Sequence, residues 1–192
     1  MKVLLHICCG TCASSVAEQL MCDGYRVTGF FYNPNIHPAD EYKRRLDGAA
    51  EVARQLGFDL VEGPYDRQRW FELVKGKEYS AEGGARCEIC FNMRLEKTHE
   101  YFKKGIFNAF ATTLTVSPLK DVTLVNAIGR KIGGERFICT DFKKKGGFAR
   151  ATELSREWGL YRQNYCGCIY SLEESLAKKE RRENEKKKTK KD

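Results

Sequence analysis

The sequence predicts an α/β fold, a Rossmann-like parallel sheet flanked by helices in a single domain, and three observations predict it. Short apolar runs alternate with longer stretches of helical periodicity, the pattern of parallel strands joined by covering helices. The first run, Val3-Leu4-Leu5-His6-Ile7, leads straight into Cys8-Cys9-Gly10-Thr11-Cys12, and open α/β sheets place ligands at the carboxyl ends of their strands. A chain of 192 residues is long enough for one well-buried core and too short for two ordinary ones.

Taken in order, residues 2–7 read as a buried strand interrupted only by His6, and residues 13–20 as the helix that follows. Residues 26–32 give a second strand running into Asn33-Pro34-Asn35-Ile36-His37-Pro38, a loop shaped by two prolines and two asparagines. Residues 40–56 have helical spacing with Gly57 where a helix would end, and residues 58–62 give a third strand. A helix is expected over 66–74, then a polar, glycine-containing stretch delivers the chain to Cys87. A helix from Ile89 to about Phe102 carries the Cys87/Cys90 pair on its opening turn. A fourth strand is expected over 107–113, a helix over 121–132, a fifth strand over 136–140 and a helix over 149–158, closed by Gly159. The α/β domain is expected over 1–177, and residues 178–192 read as a basic tail, either a frayed helix or disordered.

Charge and composition narrow the chemistry. The formal charge is +8, but residues 178–192 hold nine Lys or Arg against four Asp or Glu, so the body is only mildly basic. No run of about eighteen apolar residues occurs and nothing resembles a secretory leader, so a cytoplasmic protein with no membrane contact is expected. Nine cysteines in a reducing compartment favour metal binding or catalysis over a disulfide framework.

Seven of the nine fall in three tight groups: Cys8, Cys9 and Cys12; Cys87 and Cys90; Cys166 and Cys168. Adjacent cysteines cannot be bridged to each other without strain, and a helix amino terminus favours the thiolate, so a shared metal site is the expectation. Cys22 and Cys139 stand alone and read as small buried hydrophobes. One tetrahedral zinc takes four ligands, so seven convergent thiols imply two centres, and soft thiolates are what iron–sulfur clusters use. Spacing does not allocate the thiols between the centres. Of the histidines, His6 reads as a hydrogen-bonded core residue, His99 as a helix residue without a paired ligand, and His37 as the one nearest to facing a substrate. There is no Walker loop and no GxGxxG after a strand, so nothing indicates a nucleotide cofactor. On the residues alone, a metalloenzyme competes with a zinc-stapled RNA-binding module without catalysis.

The ordered motifs resemble those of the cobalamin-independent epoxyqueuosine reductases. The resemblance rests on Leu5 to Cys12, Phe31 to Ile36, Glu82 to Phe91, Thr112-Thr113-Leu114, Ser117 to Lys120, Asp141-Phe142, and Leu160 to Ser171. Gly10-Thr11 departs from the Ala-Pro associated with the family and leaves every thiol in place. The resemblance implies an adenine-nucleotide α-hydrolase-like sheet, a [4Fe–4S] cluster with a neighbouring metal, iron by expectation, and an unidentified electron donor. It also implies two-electron reduction of the epoxide of epoxyqueuosine at the wobble position of transfer RNA. Given that chemistry, Asp141 and Tyr165 are candidate acids for the leaving oxygen, and Lys120, Lys143, Lys144, Lys145 and Arg162 are candidate RNA contacts.

Overall fold

In a computed structural model, which describes residues 1–188, four parallel strands form one sheet in the order β3-β2-β1-β4. These are β1 (Lys2–His6), β2 (Arg26–Phe31), β3 (Asp59–Glu62) and β4 (Ala109–Thr112). The central strand β1 pairs with β2 on one side, Val3 beside Val27, and with β4 on the other, Val3 beside Ala109. Val3, Leu4 and Leu5 are wholly buried, as a strand covered on both faces requires.

The covering helices are α1 (Gly10–Cys22), α2 (Ala39–Leu56), α3 (Arg67–Val74), α4 (Ala85–Lys104), α5 (Val122–Gly133), α6 (Gly147–Glu157) and α7 (Ile169–Lys188). Helices α1 and α4 start about a turn earlier than periodicity predicts. Helix α1 begins inside the cysteine loop because Cys9 serves as its N-cap, the Sγ accepting from the Cys12 amide at 3.4 Å. Helix α4 begins at Ala85, so Cys87 and Cys90 lie within its first two turns. The crossing of α1 over α2 is a glycine contact: a Cβ on Gly10 would lie 2.5 Å from the Gly48 carbonyl oxygen. That contact brings the cysteine loop down against α2.

The expected fifth strand does not form. Residues Gly134–Arg136 make a 3-10 turn, and the segment touches the sheet at one bridge, Phe137 to Phe110. Glu135 and Arg136 are exposed, which leaves Phe137 and Ile138 as the apolar pair with anything to bury. Cys22 and Cys139 are likewise corrected, since both are exposed. Cys22 ends α1, and Cys139 follows the bridge, where the chain has already left the sheet. Helix α7 runs through the start of the expected basic tail, and the rest of that tail, 189–192, lies outside the described residues.

Candidate metal centre

Parallel strands bring their carboxyl ends to one edge, and Cys8 follows β1 there. The Cys8, Cys9 and Cys12 sulfurs all lie within 4.8 Å of one another and all three residues are buried. Cys8 Sγ and Cys9 Sγ are 3.8 Å apart. Four thiolates at tetrahedral corners about 2.3 Å from one ion would have neighbouring sulfurs about 3.8 Å apart, so the Cys8–Cys9 spacing is that of two ligands on one metal and the whole trio is close enough to hold one. Its surroundings fix it: the Thr113 hydroxyl donates to Cys8 Sγ at 3.2 Å, and Gln163 Nε2 donates to Cys9 Sγ at 3.1 Å. Hydrogen bonds from Cys12 and Cys9 hold the Cys8 thiol well below its ordinary range, with Arg94 and Lys120 adding their positive charge.

The other four thiols come from two segments. Cys87 and Cys90 face inward from α4, and Cys166 and Cys168 lie on the loop before α7; burial raises the Cys87, Cys90 and Cys168 thiols, and Cys166 is near enough to add to the rise in each. Burial pushes the Cys90 thiol up to about 12, against the pull of Arg94. The Gly83 amide donates to Cys87 Sγ at 3.2 Å. Gly167 turns the loop at φ +124°, where a side chain is rarely tolerated and a Cβ would meet Arg45 Nη1 at 2.9 Å. Arg45 clamps that loop, donating to the carbonyls of Cys166 at 2.9 Å and Tyr165 at 3.1 Å while its Nε pairs with Glu41 at 2.7 Å.

Cations thread between the two groups. Buried Arg94 donates to Asn33 Oδ1 at 2.6 Å, to His6 Nε2 at 3.4 Å and to Cys90 Sγ at 3.7 Å. Burial, with Arg94 alongside, lowers His6 to about 3, so the imidazole is neutral and acts as a hydrogen-bonding brace to Thr112 at 2.8 Å. Lys120 Nζ lies 3.9 Å from Cys166 Sγ. Although burial opposes its charge, Cys166, Cys8 and Cys12 hold its ammonium above the ordinary lysine range. Arg86 is buried beside Cys87 and pairs with Glu174 at 3.2 Å. A set of soft donors balanced by buried cations and backed by amide and hydroxyl donors fits a bound metal, whose negative ligand shell needs that compensation.

Over the thiols lies a cavity of about 350 Å³, lined among others by Cys8, Cys12, Cys166, Lys120, Tyr165 and Arg162. Lys120, read from the sequence as a phosphate contact, points instead at the sulfurs. Tyr165 reaches the wall, but its hydroxyl donates to the His37 carbonyl, and burial, with Glu41 adding, pushes it up to about 12. Asp141 is not among the cavity residues; its carboxylate accepts from the Lys143 amide at 3.1 Å and caps a turn. Lys144 and Lys145 are exposed, Lys143 is half-buried, and Arg162 is exposed at the cavity wall. His37 is buried and does not line the cavity, its ring packing on Phe71, and His99 packs against Phe102 and Phe110. Arg45, Arg86 and Arg94 join the site without having been predicted to. The signal for two of them was local: Arg86 adjoins Cys87, and Arg94 is one helical turn beyond Cys90 on the same face.

The family model described as Epoxyqueuosine reductase QueH matches residues 3–174. The chain belongs to the epoxyqueuosine reductase QueH family. Relatives bearing that name include one from Haemophilus influenzae, 41% identical over 179 residues that cover 91% of this chain and 73% of the relative. Another, from Thermotoga maritima, is 36% identical over 185 residues, 92% of this chain and 93% of the relative. Family membership sets aside the non-catalytic zinc-stapled module. A solved structure titled as a predicted subunit of tRNA methyltransferase from Methanocaldococcus jannaschii superposes with a TM-score of 0.52 at 17% identity, covering 80% of this chain and 76% of that one; it shows a shared fold. No helix among the described residues is long and apolar enough to cross a membrane.

Proposed function

We propose that this epoxyqueuosine reductase reduces its epoxide in the cavity over the thiols, with transfer RNA carrying epoxyqueuosine at the wobble position as the substrate. The observation that carries this is the cavity itself: in a QueH-family chain, an open space is walled by thiols of both groups and by the Lys120 ammonium beside them. The reaction adds two electrons and two protons to the epoxide, cleaves both carbon–oxygen bonds of the ring and yields an alkene and water.

We assign Cys87, Cys90, Cys166 and Cys168 to a [4Fe–4S] cluster, which takes four thiolates, and Cys8, Cys9 and Cys12 to a single iron. Such a pair, when bound, supplies electrons one at a time and a Lewis-acid position for the epoxide oxygen. The chain's own part follows from the geometry. Lys120 donates a hydrogen bond to the oxygen and then a proton, a transfer that runs downhill because an alkoxide is far more basic than an amine. Arg45 holds the loop of Cys166 in register, and His6, Asn33 and Arg94 lock the end of β1 against α4. Lys143, Lys144, Lys145 and Arg162 take phosphates of the RNA, and the residues after 177 add sequence-independent, salt-dependent affinity. A separate protein or small reductant delivers the electrons.

Incubation of the anaerobically reconstituted chain with epoxyqueuosine-containing transfer RNA and a low-potential reductant, followed by nucleoside mass analysis, tests this. Queuosine, lighter by one oxygen atom, is the expected product. Recovery of the intact epoxide from a chain loaded with iron and sulfide would refute it.

A further inference from the structure

We propose that Phe148 and Leu119, at the mouth of the thiol cavity, form an apolar platform on which bases flanking the modified nucleotide stack, an inference that rests on the transfer RNA reading above. A cavity of about 350 Å³ has room for one modified nucleobase, so the neighbouring nucleotides of the loop must lie on its rim. The wall changes character there. Its depth is thiols and cations, whereas Leu119 is 76% exposed and Phe148 is 40% exposed, and both line the same cavity. Neither side chain belongs to the hydrophobic core, so packing does not account for them.

Their neighbours identify the occupant. Phe148 stands in the first turn of α6, separated from Lys143, Lys144 and Lys145 by Gly146 and Gly147, and Leu119 directly precedes Lys120. Arg162 and Lys178 line the cavity with them; of its two carboxylates, Glu174 is tied to Arg86 and Glu82 is exposed. Apolar faces for bases set among cations for phosphates are the composition of a single-stranded RNA site.

The probe is a stem–loop RNA with an anticodon-type loop and an unmodified guanine at the wobble position, titrated against the reconstituted chain. Phe148→Ala is expected to weaken binding about tenfold and Phe148→Trp to restore it, since any flat face supports stacking. Removing the two flanking bases, as abasic sites, is expected to weaken binding to the unaltered chain by a similar factor and to have little further effect on Phe148→Ala. Leu119→Ala gives a second, smaller loss by the same logic. Losses from Phe148→Ala and the abasic sites that multiply, or a Phe148→Ala chain that binds as before, would overturn the platform. Because this cycle reads binding alone, a chain that shows the coupling yet never reduces the epoxide counts against the reductase reading and for the platform.

Discussion

Cys8, Cys9 and Cys12 come from one turn of chain at the end of the central strand, whereas Cys87, Cys90, Cys166 and Cys168 come from two segments separated by β4, α5 and α6. The trio is preset by local structure. Cys9 caps α1, and the first turn of that helix fixes Cys12 relative to it. The quartet is held by tertiary contacts: Arg45 grips the Cys166 loop from α2, and Arg86 ties α4 to α7 through Glu174. The contrast is between a compact trio that local structure presets close enough to hold a metal and four further thiols that only tertiary contacts bring to the same region, and the two-centre assignment proposed above builds on it.

Substitutions within the two sets test that division most severely. Cys8→Ser and Cys87→Ser should each lower kcat on the order of a thousandfold or more, since losing either centre forfeits several kcal/mol of transition-state stabilisation. Equal activity in either variant would show that its thiol is a spectator. Lys120, between the sets, comes next. Lys120→Met should lower kcat about a hundredfold with KM nearly unchanged, the loss of a proton donor, and Lys120→Arg should recover part of it. A change confined to KM would return Lys120 to the phosphate-binding role read from the sequence.

Arg94 sharpens the comparison from the side of stability. Arg94→Met removes the donor that His6, Asn33 and Cys90 share in a buried setting, and should lower unfolding stability by about 2 kcal/mol in urea titrations. The smallest effect concerns the backing of the trio, where Glu18 on α1 pairs with Arg150 on α6 at 2.7 Å. The hydrogen bond from Arg150 lowers the Glu18 carboxyl below its ordinary 4.5. A depressed carboxylate stabilises the fold above its unfolded value and loses that contribution as pH falls through the folded one. Glu18→Gln should therefore lower the urea midpoint slightly at neutral pH, and the difference from the unaltered chain should vanish in acid.

The same contrast governs what was legible in the sequence. Strands β1 to β4 and helices α1 to α6 are legible as apolar runs and periodicity, and the trio as spacing within one loop, whereas helix α7, mostly charged past Ala177, is not. The fifth strand misled because Phe137 and Ile138 look like part of a strand, while whether a sheet edge is joined depends on the neighbours of Phe110. Cys22 and Cys139 were misplaced for a related reason, as burial is decided by tertiary position. The cations Arg45, Arg86 and Arg94 reach the site from α2 and α4, and a linear reading sees them as helix-surface charge. Lys120 was noticed, but which way it points depends on the loop after β4 folding back over the thiols.

Iron and sulfide counts on Cys8→Ser and Cys87→Ser, reconstituted anaerobically side by side, test the two-centre account most directly. Cys8→Ser should retain about four iron and about four sulfide per chain, and Cys87→Ser should lose most of both. Identical losses in the two variants would contradict it, as would a chain that saturates with a single zinc.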